Sequence, residues 1–225
     1  ASAKLLVDAG ADVNDVDAWG VSATVLAAHS GFGELVEFLL LQGADPNLAE
    51  AGFTALHIAI MRRDAKMARD LLLHGADPNA PIEAWTPTRR SAKDFHFQPE
   101  LVGATPFWLA ARFSQPEVMR LLVRHGADPL FVHRSESVKT DGLKWPRQTE
   151  ETTALMAALG LGGGTPWVEA PTAEQETLIL ETLKTAVELG VDVNAVNADG
   201  KTALDVAKAR QYQSAIAYLG GKGAR

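Results

Sequence analysis

The segment Glu34-Leu35-Val36-Glu37-Phe38-Leu39-Leu40 carries apolar residues at helical spacing and predicts a short helix. Gly43 follows it closely, and a glycine there ends a helix in the left-handed conformation at no steric cost. Asp45-Pro46-Asn47 comes next. Aspartate and asparagine bond to nearby backbone, and proline forbids further helix. The pattern therefore predicts a helix, a stop and a hairpin-like turn.

This phrase recurs. It reads Gly10-Ala11-Asp12-Val13-Asn14, Gly43-Ala44-Asp45-Pro46-Asn47 and Gly75-Ala76-Asp77-Pro78-Asn79, then Gly126-Ala127-Asp128-Pro129 and Gly190-Val191-Asp192-Val193-Asn194. Glycine to glycine, the steps are 33, 32, 51 and 64 residues. The long steps read as one period with insertions of about 18 and about 31 residues. A second phrase alternates with the first: Gly52-Phe53-Thr54-Ala55-Leu56-His57-Ile58-Ala59, Gly103-Ala104-Thr105-Pro106-Phe107-Trp108-Leu109-Ala110 and Gly200-Lys201-Thr202-Ala203-Leu204-Asp205-Val206-Ala207. Weaker copies begin at Gly20 and Thr153. Serine or threonine here accepts the orphan amides of a helix start, and Pro106 suits the first helical position.

With these openings and closes in register, the sequence resembles the ankyrin-repeat family. The resemblance implies an all-α solenoid of stacked helix-turn-helix units joined by β-hairpin-like turns, here with two long finger insertions. The expected units are a truncated one at 1–14 and repeats at 15–47, 48–80, 81–130 and 131–194. A final half-unit at 195–225 reads as a C-terminal cap, with polar Lys208, Arg210, Gln211 and Gln213 between its apolar positions. Leu5, Leu6 and Val7 read as part of a second helix without its partner, which suggests an upstream segment. The resemblance also makes His57 a hydrogen bonder between neighbouring units and puts Trp108 in the same slot one unit on.

Composition narrows the function classes. Of 225 residues 47% are apolar and 22% charged, a balance that folds. A net charge of -7 argues against nucleic acid, which demands a basic face. There is no cysteine, so disulfides and thiolate metal sites are excluded while the compartment, cytoplasmic or exported after processing, stays open. No apolar run approaches the roughly 18 residues of a membrane span. The first seven residues are too short an apolar stretch for a signal peptide.

Insertions mark the informative places, because they gather on one face of a solenoid. One runs from 81 to 102 with zero net charge, the other from 130 to 150 with a net charge of +1, on a body that carries -8. Arginine beside large aromatics is the composition of interface anchors. The contact residues expected for a protein partner are Trp85, Arg89, Arg90, Phe95, Phe97, Trp145 and Arg147, with Trp108 adjoining them. The competing reading is that Trp85, Phe95, Phe97 and Trp145 fold back and brace the fingers.

The expected function is an interaction scaffold that grips a protein partner with its concave surface and fingers. The alternative is a small-molecule or hydrolytic pocket between the insertions, with His96 and His133 converging there. No metal or cofactor is expected, for the spacings of a zinc site are absent. Ser91, Asp94 and His96 lack a nucleophile elbow and make no triad. Gly160-Leu161-Gly162-Gly163-Gly164-Thr165-Pro166 lacks the lysine of a phosphate loop and reads as a flexible connector between two helices of one unit.

Overall fold

A computed structural model describes residues 2–86, 96–138 and 147–225. After α1 (Ser2–Asp8) the helices come in pairs: α2 (Ala23–His29) with α3 (Gly33–Leu41), α4 (Ala55–Met61) with α5 (Ala65–Leu73), and α6 (Pro106–Arg112) with α7 (Pro116–Arg124). Then follow α8 (Ala154–Ala158) with α9 (Gln175–Glu188) and α10 (Ala203–Ala209) with α11 (Gln213–Gly221). The closing stretch expected to be a half-unit therefore holds two helices. First helices stack in the order α2, α4, α6, α8, α10, and second helices in the order α3, α5, α7, α9, α11. This is an all-helical solenoid with one two-stranded sheet among the described residues.

The first helices begin where the sequence predicts. The hydroxyls of Ser22, Thr105, Thr153 and Thr202 accept the amides of Val25, Trp108, Met156 and Asp205, three residues on. Five residues after each cap stands a buried alanine: Ala27, Ala59, Ala110, Ala158 and Ala207. The core is continuous through these helices and the apolar faces of the second helices.

The turns are clamped by asparagine. Asn14 Nδ2 donates to the Gly43 carbonyl at 3.3 Å, and its Oδ1 accepts the Asp45 amide at 2.7 Å. Asn47 makes the same pair with Gly75 and Asp77, and Asn79 with Gly126 and Asp128. Asn194 repeats it with Gly223 and Arg225. Leu130 stands in the asparagine slot of the remaining turn, and there the second insertion begins.

Candidate interaction surface

The first insertion leaves α5 and returns to α6 as two arms. Ile82 N–H donates to Ala104 at 3.0 Å and Gly103 N–H to Ile82 at 2.7 Å. Nearer the tip, Thr86 N–H donates to the Phe97 carbonyl at 3.0 Å, while Phe97 N–H donates to Thr86 Oγ1 at 2.7 Å. Phe97 itself is fully buried, 4.6 Å from the Phe53 ring and 5.0 Å from Trp167. It plugs the neck of the finger into the second unit. Trp85 stands one residue before this closure and is 50% exposed.

The second insertion opens as a true hairpin. β1 (His133–Val138) pairs antiparallel with β2 (Arg147–Thr152), from His133 opposite Thr152 to Val138 opposite Arg147. Side chains alternate along β1: His133 and Ser135 face inward and are buried, whereas Arg134 and Glu136 are exposed. Arg134 reaches Glu151 on the outer face at 2.9 Å. At the base, His133 Nε2 donates to the Val102 carbonyl at 3.0 Å and its ring lies 4.3 Å from Trp108. Trp108 Nε1 donates to the Thr152 carbonyl at 3.2 Å. Burial holds His133 below the ordinary histidine range, partly offset by its bond to Val102.

The segment from Gly160 to Pro171, expected to be a flexible connector, is instead a strap fastened across the first helices. Arg112 Nε and Nη2 donate to the carbonyls of Gly163 and Gly164 at 2.8 and 3.0 Å. Gln98 and Thr165 exchange a reciprocal pair at 2.7 and 2.9 Å. Trp167 Nε1 donates to the His96 carbonyl at 2.9 Å, and its ring touches Phe97 and His29. The strap thus links the fourth unit back to the first finger and to the end of α2. It covers part of α6 and the end of α2.

The expected contact residues separate into three groups. Phe97 and Trp108 are corrections: both are fully buried and hold the finger bases, so neither offers surface to a partner. Trp85 is exposed as a contact residue must be. Arg89, Arg90, Phe95 and Trp145 lie outside the described residues, as do Ser91 and Asp94. Arg147 begins β2, and only its backbone is described. The His96 backbone carbonyl accepts from Trp167, whereas the His133 ring is buried against Trp108 and bonded to Val102, so it does not open into a pocket. Sequence reasoning missed Trp19, 66% exposed beside the first turn, and the strap ligands Gln98, Arg112 and Trp167. A tryptophan next to Gly20 was the available signal for Trp19.

Stacked helix pairs, asparagine-clamped turns and fingers between units define a repeat solenoid. A family profile described as "Ankyrin repeats (3 copies)" matches residues 1–82, and one described as "Ankyrin repeat" matches residues 102–134. The chain belongs to the ankyrin-repeat family. Among solved structures it is similar to an ankyrin repeat domain from Acinetobacter baumannii AYE, with 20% identity, 99% of this chain and 91% of that chain covered, and a TM-score of 0.68. It is also similar to EF0377, an ankyrin repeat protein, with 21% identity, 97% and 89% covered, and a TM-score of 0.64. At these identities the likeness concerns the fold. Ankyrin repeats are generally protein–protein interaction modules. Among the described residues no helix is long and apolar enough to cross a membrane.

Proposed function

We propose that this chain is a scaffold that binds a protein partner along its finger edge, with Trp85, Arg89, Arg90, Phe95, Trp145 and Arg147 as the contacts. The observation that carries the reading is the division of labour within the first finger. Its inner aromatic, Phe97, is fully buried at the base. Trp85 emerges half-exposed at the neck of a segment that goes on to Arg89 and Arg90. A half-exposed tryptophan beside arginines has the chemistry of an interface hot spot. The strap supports the same reading, because it covers part of α6 and the end of α2 and leaves the finger edge to a partner.

A hydrolytic pocket between the insertions finds no support, since His133 is packed shut by Trp108 and bonded to Val102. The test is capture from native lysate by the intact protein and by a version in which residues 87–95 and 139–146 are each replaced with a short Gly-Ser linker. Loss of the captured protein from the second sample is expected. Capture of the same protein in equal yield by both would overturn the proposal.

A further inference from the structure

The turns between paired helices carry arginines that the finger reading does not use. Arg63 follows α4, Arg112 ends α6 and Arg210 follows α10. All three line one cavity of about 320 Å³, together with Ile179, Tyr212 and the strap residue Glu169. Three units thus aim cations at one space in a chain whose net charge is -7.

Each guanidinium is held in place by backbone carbonyls. Arg63 donates from Nη1 to Phe113 and from Nη2 to Ser114 at 3.2 Å. Arg112 clamps Gly163 and Gly164, and Arg210 donates to Gly160 at 3.1 Å. Carbonyls orient these groups without neutralising them. Among the described residues none of the three forms an ion pair. A guanidinium has five N–H donors, so each keeps donors to spare. Burial first, and the like charge of Arg210 second, weaken the protonated state of Arg112, with Glu150 and Tyr212 opposing. Burial acts likewise on Arg63, against the attraction of Glu174.

We propose that this cavity binds the phosphate dianion, free or as a small phosphate monoester, between Arg63, Arg112 and Arg210. Three arginines line the cavity against one lining carboxylate, Glu169, while Glu174 and Glu150 act on Arg63 and Arg112 from beyond its wall. Planar guanidinium forks fit phosphate oxygens in pairs, and here they are already oriented. The volume suits a small molecule, and Ile179 with Tyr212 offers an organic remainder a less polar wall. The site lies between the strap and the helix turns, and no described finger residue lines it. It stands whether or not the fingers bind a partner.

The test is calorimetric titration with inorganic phosphate, glycerol 3-phosphate and succinate at constant ionic strength. The proteins are the wild type, Arg210→Gln, Arg63→Lys and, as a control on the second finger, Arg134→Gln. Arg210 is exposed and donates a single bond, so its loss spares the fold, as melting without ligand will verify. Arg63→Lys keeps the charge but removes the fork together with its bonds to Phe113 and Ser114, so its melting without ligand is checked as well. Both phosphates are expected to bind the wild type and the control alike, and succinate more weakly. Binding is expected to fall tenfold or more in Arg210→Gln, and also in Arg63→Lys. No binding of either phosphate at millimolar concentration, equal binding by Arg210→Gln, or tighter binding of succinate would each overturn the proposal.

Discussion

At the buried His57 ring, Nδ1 accepts the Thr54 amide at 3.1 Å while Nε2 donates at 2.9 Å to the carbonyl of Ala80, the last residue of the same unit. One neutral tautomer thus closes a helix start and pins the end of the unit where the chain passes to the next. Trp108, in the same slot one unit on, keeps only the second bond, its indole donating to Thr152. Burial lowers His57 from 6.5 to about 4, only partly offset by its bond to Ala80. The unfolded chain therefore takes up a proton that the folded chain refuses. The contribution to stability is fully present above about pH 6.5 and is lost as pH falls towards 4, to the extent of about 3 kcal/mol. Denaturant unfolding between pH 7 and pH 4 should show that loss in the wild type and not in His57→Gln, beyond the carboxylate effects common to both. Parallel curves would contradict it. The role of His57 was legible because its motif contains Thr54, and the resemblance to the repeat family supplied the expectation of a bond beyond it. Phe97 and Trp108 were not, because a ring beside arginines has one composition whether it faces a partner or the core.

At the scale of elements, the strap shows why three glycines stand together. Gly162, Gly163 and Gly164 all have positive φ, and a Cβ on Gly162 would fall 2.3 Å from the Trp108 ring. On Gly163 and Gly164 it would meet Glu100 and Leu101 at 2.7 and 2.5 Å. The glycines let the chain lie directly on α6 and on the turn before it. Sequence offers no view of this, for a Gly-rich run reads as slack unless its fasteners are known, and Arg112 and Gln98 lie some 50 to 67 residues away. Gly162→Ala combines a strained φ with a clash against a fully buried ring. It is expected to lift the strap and speed hydrogen exchange at the Thr165 amide, now bonded to Gln98, at least tenfold. An unchanged exchange rate would mean that the strap does not depend on this contact.

Over the whole molecule, each unit is joined to its neighbour by similar parts, so stability sums over nearest-neighbour interfaces. The asparagine clamp runs from turn to turn until Leu130, where it lapses. At that joint Trp108 and His133 bind the second finger to the preceding unit instead. The repeat was legible because its phrase of five consecutive residues recurs, although the clamp it makes joins residues 28 to 49 positions apart. The joint was not, because Trp108 and His133 make it with bonds that no recurring phrase announces. Fingers in this chain are therefore structural at their bases, and partner contact is proposed for the residues between those bases.

The most direct test of that division measures thermal stability and partner capture on the same samples of Trp85→Ala/Arg89→Ala and of Phe97→Ala. Removing the buried Phe97 ring is expected to cost about 3–5 kcal/mol and lower Tm by about 10 °C. The tip variant is expected to melt within about 2 °C of the wild type and to lose capture at least tenfold. A tip variant that melts early yet captures its partner as well as the wild type would contradict the account.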